Sequence, residues 1–313
     1  MVGLPGTVAS RTLLAEVRGG QVGAVILFSA NIASRSQVKA LIGSLQAAAK
    51  AGRNPPLLIA VDQEGGEVKR FAGGPPYLGP PQMAATGKVS TARTQGVLTG
   101  RYLAGLGVNM DLAPVADVPT TPNAFIWQEH RAFSFNPATV AGFSTAFAQG
   151  LQSAGVAATA KHFPGLGTAT LNTDYGFAVL HPSAAQRAAA LTPYRSLIPS
   201  GVDAVLVALA AFPAYDPSGV PAALSSRIIG GLLRGQLHFA GVTITDGLGA
   251  PTGHDEITAG VLAARAGADI LLYTDGAVGE LSALTRAVHS GRISMSSALA
   301  AYQRIVALKR RVG

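Results

Sequence analysis

No cysteine occurs in the 313 residues, so disulfides, thiolate metal sites and a cysteine nucleophile are excluded. A cysteine-free chain fits the bacterial cytoplasm or the space outside it, and the compartment stays open on this ground. Charged residues make up only 13% and are spread evenly, which rules out a disordered polyelectrolyte. No apolar run approaches the ~20 residues of a membrane span. The opening Met1-Val2-Gly3-Leu4-Pro5 is too short for the hydrophobic region of a leader. It reads instead like the tail of a strand, and on that reading a leader is expected upstream, which tilts the compartment toward the extracytoplasmic side. HExxH, an EF-hand loop, a Walker loop and a G-x-G-x-x-G following a strand are all missing, so neither a metal nor an organic cofactor is expected.

What is present is a large apolar fraction, 48%, and a net charge of +8. The excess Lys and Arg are scattered, with their densest cluster at Lys309-Arg310-Arg311, and no recognition motif accompanies them. Nucleic acid is therefore not the expected partner.

The dominant rhythm is a short apolar run, a Gly- or Asp-rich loop, then an Ala-rich amphipathic stretch, which indicates βα units around a parallel sheet. Strands buried on both faces read as near-continuous apolar runs. Eight such runs occur: Met1–Leu4, Val22–Phe28, Leu57–Val61, Val108–Pro114, Val156–His162, Ala204–Ala210, Val242–Thr245 and Ile270–Tyr273. Helical spacing marks Ser36–Ala51, Thr91–Leu106, Pro137–Ala154, Ala184–Leu197, Ser226–Leu237, Glu256–Ala266 and Gly279–His289. Gly52, Gly107, Gly155, Gly201, Gly241 and Gly267 stand where left-handed helix caps are expected. Eight strands alternating with helices predict a closed (β/α)8 barrel, an open doubly wound sheet being the alternative. No repeat, linker or composition shift divides the chain, so residues 1–313 are read as one domain, and as a monomer.

A barrel of this kind carries its active site at the C-terminal ends of its strands. Ionisable residues collect at those ends: Asp62-Gln63-Glu64 after the third run, Asp111 in the fourth, Lys161-His162 ending the fifth, Asp246 after the seventh. Singly, each has a structural reading. Asp62 and Asp246 could cap helices. Lys161 and His162 could be a paired lysine and a satisfied core histidine, and Asp111 fits a structural hydrogen-bonding role better than a catalytic one. Jointly, charges around one barrel mouth are costly unless they pair or bind something polar.

These residues also carry a family resemblance. Ala60-Val61-Asp62-Gln63-Glu64-Gly65-Gly66-Glu67-Val68-Lys69-Arg70 resembles the VDQEGG-x-V-x-R signature of family 3 glycoside hydrolases, in particular bacterial β-N-acetylhexosaminidases. Gly107–Val118, Arg131-Ala132-Phe133-Ser134, Lys161-His162-Phe163-Pro164-Gly165 and Ile244-Thr245-Asp246-Gly247-Leu248 are similar to four further motifs, in the family's order. The resemblance implies a (β/α)8 barrel that hydrolyses terminal β-linked sugars with retention, N-acetylglucosamine first and glucose second. Cell-wall fragments or chito-oligosaccharides would be the substrates. It implies Asp246 as nucleophile, and Asp62, Arg70, Arg131, Lys161 and His162 as the residues that grip the sugar. Lys161 is further expected to favour ionised Asp246.

The match breaks after Gly165. Relatives continue with a histidine and then a loop bearing D-S-H, whose Asp–His pair is the acid/base. Here Leu166 replaces the first histidine, Asn172 the aspartate and Asp174 the catalytic histidine. Asp174 is the candidate acid/base. The alternatives are a structural Asp174 with protonation supplied by another group, or a carbohydrate-binding relative without turnover. A barrel enzyme using Lys161 as a Schiff base belongs to another class. A second departure is Ala210-Ala211, where relatives often place a histidine.

Overall fold

The computed structural model describes residues 1–274 and 279–313. In chain order the strands are β1 (Ala24–Leu27), β2 (Leu58–Val61), β3 (Gln63–Gly65), β4 (Val68–Lys69), β5 (Met110–Asp111), β6 (Ala157–Phe163), β7 (Ala204–Val207), β8 (Val242–Gly247) and β9 (Ile270–Leu272). Seven of them pair in parallel in the order β1-β2-β5-β6-β7-β8-β9. Val2 bridges both Val25 and Tyr273 in parallel, and so joins the two edges of the sheet. The result is the closed α/β barrel expected from the alternation of runs. Of the expected first strand Met1–Leu4, only Val2 takes part in such bridges. The expected fourth run, Val108–Pro114, contracts to Met110–Asp111, and Pro114 has no N–H to continue a ladder.

Side chains alternate across each strand. Ala24, Ile26, Leu58, Ala60, Met110, Leu112, Ala204, Leu206, Val242, Ile244, Ile270 and Leu272 form one buried cluster inside the barrel. Val25, Leu27, Ile59 and Val61, the intervening residues, pack outward with the helices. Small residues alternate with branched ones inside, which lets layers from neighbouring strands interlock.

The helical framework comprises α1 (Arg11–Arg18), α2 (Arg35–Ala51), α3 (Pro80–Ala85), α4 (Val89–Ala104), α5 (Phe125–Gln128), α6 (Pro137–Ser153), α7 (Ala184–Leu197), α8 (Glu256–Ala266), α9 (Glu280–His289) and α10 (Met295–Val312). Side-chain caps set several starts, among them Ser34 on α2, Asn136 on α6 and Ser183 on α7. The expected helix Ser226–Leu237 is wound as a π-helix over Arg227–Gln236. Helix α10, beyond the expected set, lays Leu308, Ile305 and Val312 against the interior cluster. Gly107, Gly155, Gly201 and Gly267 adopt the left-handed conformation as expected. At the other two expected caps the left-handed residues are instead Arg53 (φ 58°) and His238 (φ 56°).

Candidate active site

The signature around Asp62 folds as a strand followed by a hairpin. β3 and β4 pair antiparallel, and Gly65 (φ 98°) and Gly66 (φ 62°) make the turn between them, a conformation that favours glycine. The hairpin returns Arg70 to Asp62, whose Oδ2 accepts from Nη2 at 3.0 Å. Lys161, two strands away on β6, donates Nζ to Asp62 Oδ1 at 2.7 Å and lies 2.7 Å from Glu64 Oε1. Arg131, in the loop after α5, grips Glu64 bidentately, Nε to Oε2 and Nη2 to Oε1, both at 2.9 Å. Lys161, Glu64 and Arg131 are buried, so each charge is matched inside the protein.

The balance between burial and pairing fixes the charge states. Burial alone would raise the Asp62 carboxyl, but Lys161 and Arg70 outweigh it and hold it well below the usual carboxylate range. Glu64 is likewise pushed up by burial, yet Arg131 and Lys161 bring it down to about 2. Burial would lower Lys161, and the two carboxylates raise it instead. Asp111, beneath this network, lacks such a partner. Burial pushes it up to about 8, so it is protonated at neutral pH. Its Oδ1 accepts from Gln63 N–H at 2.9 Å, and its buried Oδ2 has no hydrogen-bond partner among the described residues. The structural role expected for Asp111 fits this placement.

His162 is oriented from behind. Its Nδ1 lies 2.7 Å from Asp117 Oδ2, and Asp117 Oδ1 accepts from Leu166 N–H at 2.6 Å. Arg131 Nη2 stands 3.3 Å from Nε2. A guanidinium only donates, so this network assigns the proton to Nδ1 and makes Nε2 an acceptor.

Asp62, Arg70, Arg131, Lys161, His162, Asp174 and Asp246 all line one cavity of about 640 Å³. Its walls also include Phe28, Leu112, Leu206 and Leu272, at or just beyond the C-terminal ends of the strands. The cap readings do not apply. Asp62 leads into a hairpin, and α8 is capped by Asp255, not Asp246. Asp246, on β8, accepts from Gly247 N–H at 2.9 Å. Lys161, expected to act on Asp246, is paired with Asp62 and Glu64 instead. Asp174 reaches the rim of the cavity from the loop after β6, where Thr173 is buried and Asp174 itself remains solvent-accessible. Burial against the site raises its carboxyl first, and the negative charge of Asp246 raises it further. Ala210 and Ala211 do not line the cavity. They lie under the same loop, with Leu180 N–H donating to Ala211 O at 2.8 Å.

Glu64, Asp117, Glu129 and Asn172 complete the site without having been singled out as site residues. Glu64 stands at a strand end inside a motif, Asp117 inside another, and Asn172 where the loop departs from the family's pattern, and those are the signals available. Nothing in the sequence marked Glu129. Among the described residues no three His, Asp or Glu side chains converge as a metal-ligand set.

A polar cavity at the C-terminal mouth of a closed barrel, with carboxylates facing it, defines a (β/α)8-barrel enzyme. The model of the glycosyl hydrolase family 3 N-terminal domain matches residues 4–308, and the chain belongs to that family, as a glycoside hydrolase. A beta-hexosaminidase of Xanthomonas oryzae pv. oryzae is 37% identical over 286 residues, which cover 87% of this chain and 82% of the relative. The structure of a beta-N-acetylglucosaminidase from Paenibacillus sp. str. FPU-7 superposes with a TM-score of 0.93 at 35% identity, over 99% of this chain. This chain spans 60% of that protein. Beta-N-acetylhexosaminidase from Beutenbergia cavernae DSM 12333 gives a TM-score of 0.90 at 31% identity, with 99% and 96% of the two chains covered.

Proposed function

We propose that the protein hydrolyses terminal β-linked N-acetylglucosaminides with retention of configuration, with Asp246 as nucleophile and Asp174 as acid/base. The observation that carries this reading is the single cavity in which Asp174 and Asp246 meet the paired Asp62, Lys161, Arg70, Arg131 and His162. The names of the relatives support the sugar.

The chemistry follows from the types of residue. Asp62 and Glu64 stay ionised and Lys161 stays charged, so the pocket presents fixed donors and acceptors to ring hydroxyls. Asp246 attacks the anomeric carbon as the bond to the aglycone oxygen breaks, and Asp174 gives that oxygen its proton. The ester on Asp246 is then opened by water, whose proton passes to Asp174. A raised Asp174 suits it to hold a proton for the first step, and the charge of Asp246 that raises it disappears once the ester forms. Asp174, having given up its proton, then stands ionised and available as the base for the second step.

A panel of nitrophenyl β-glycosides, run with and without phosphate, tests the reading. Release of nitrophenol from the N-acetylglucosaminide, with free sugar as product in both media, is expected. A sugar phosphate as product would make the protein a phosphorylase, and absence of turnover across the panel would leave a binding protein.

A further inference from the structure

The loop that carries Asp174 is tied to the sugar pocket by a continuous chain of hydrogen bonds, and one member of it departs from the relatives' pattern. Glu129 accepts from Arg131 Nη1 at 3.3 Å through Oε2 and from Asn172 Nδ2 at 2.8 Å through Oε1. Asn172 Oδ1 in turn accepts from the backbone N–H of Asp174 at 2.9 Å. Arg131 is the same guanidinium that grips Glu64, which is bound to Lys161. From the pocket floor to Asp174 the order is Lys161, Glu64, Arg131, Glu129, Asn172.

We infer that Glu129 and Asn172 form a latch that positions Asp174 over the sugar pocket, and that this latch is why residue 172 is an amide. Asn172 must donate to one group and accept from another at once. A carboxamide does both, whereas an ionised carboxylate only accepts. An aspartate at 172, as in the D-S-H loop, would set its charge against Glu129. The loop therefore departs at two linked places: Asp174 supplies the carboxyl, and Asn172 fastens it to a glutamate that the rest of the site already holds. The far end of the loop is pinned separately, by Ala211 N–H to Ala178 O and Leu180 N–H to Ala211 O, so the Asn172 end governs where Asp174 stands. Glu129 and Asn172 are positioning residues, and the inference rests on Asp174 being the acid/base.

The test is a charge swap in the full chain, using N172D, E129Q and the double variant N172D/E129Q. In the double variant the amide introduced at position 129 donates to the carboxylate introduced at position 172. The other oxygen of that carboxylate again accepts from Asp174 N–H, so the latch is rebuilt with its polarity reversed. Hydrogen exchange of the peptide spanning residues 168–180 reads the latch without needing turnover. Exchange is expected to speed up by about tenfold in N172D and to return toward wild type in N172D/E129Q. The second arm compares kcat/KM for a dinitrophenyl N-acetylglucosaminide, whose leaving group needs no proton, with that for N,N′-diacetylchitobiose, whose leaving group does. N172D should lose roughly tenfold or more on the disaccharide and little on the aryl glycoside, with recovery in the double variant. Unchanged exchange in N172D would overturn the latch. Faster exchange with equal losses on both substrates would overturn its role in positioning Asp174. If the wild type turns over neither substrate, the hydrolase reading fails, while the exchange arm still decides whether the latch exists.

Discussion

Lys161 Nζ donates to Asp62 Oδ1 at 2.7 Å across 99 residues of sequence, from one strand of the barrel to a strand end two places away. Both residues line the cavity, while Glu64 and Arg70 satisfy their remaining sides. Burying such charges is costly in itself, and removing one partner of a buried pair costs ~3–5 kcal/mol. On the proposed reading these paired groups are held in place before a sugar arrives and need little reorganisation on binding.

This arrangement sets the expectation for the binding residues. Alanine at Asp62, Lys161 or His162 should weaken N-acetylglucosamine by roughly 1–3 kcal/mol, the scale of a charge-assisted hydrogen bond, or about 5- to 150-fold in Kd. Calorimetry well below each variant's melting temperature separates this loss from the loss of stability. Unchanged affinity in all three variants would place the sugar elsewhere.

How far the sequence reaches is visible in the same residues. Strands such as Ala24-Val25-Ile26-Leu27 and Ala204-Val205-Leu206-Val207 were legible because burial on both faces leaves only apolar types. The candidate site was legible where ionisable residues sit at strand ends, as at Asp62, Lys161 and Asp246, which line one cavity. Helix α10 was not: along its length only Leu308 and Lys309 are buried, so its apolar stripe is weak. Glu129 was invisible for a different reason. Its partner Asn172 lies 43 residues away, and an irregular loop has no periodicity from which such a contact could be read.

Asp111 makes a pH-dependent claim about stability. Its carboxyl is raised from 3.8 to about 8 in the folded protein, so between those values the folded state holds a proton that the unfolded state has lost. Stability contributed by this group therefore falls as pH rises through that window, by up to ~1.4 kcal/mol per pH unit. Asp111→Asn keeps an acceptor for Gln63 N–H and removes the titration. Urea melts at pH 5 and pH 8 should show the wild type losing more stability than the variant. Equal losses would mean that Asp111 is ionised in the fold.

Asp174 has a kinetic signature. Its raised carboxyl places the basic limb of kcat/KM above the ordinary carboxylate range of ~4, because the acid must be protonated for the first step. That limb should appear with N,N′-diacetylchitobiose and not with dinitrophenyl substrates, whose first step Asp174→Ala should keep fast. The glycosyl-enzyme should then accumulate, and azide should rescue turnover as the glycosyl azide. A variant that cleaves a natural disaccharide at the wild-type rate would reduce Asp174 to a loop residue.

The most direct measurement is covalent trapping at Asp246. Asp246→Asn should lower turnover by several orders of magnitude while leaving folding and sugar binding intact, since the ester can no longer form. In the wild type, a 5-fluoro-β-N-acetylglucosaminyl fluoride slows both steps while its good leaving group lets the first proceed. The intermediate should persist long enough for peptide mass spectrometry. The expected result is one sugar per chain, attached to the Asp246 carboxylate and lost on transfer to an added acceptor. A label on any other residue, or turnover of a nitrophenyl N-acetylglucosaminide by Asp246→Asn at more than about a tenth of the wild-type rate, would contradict it.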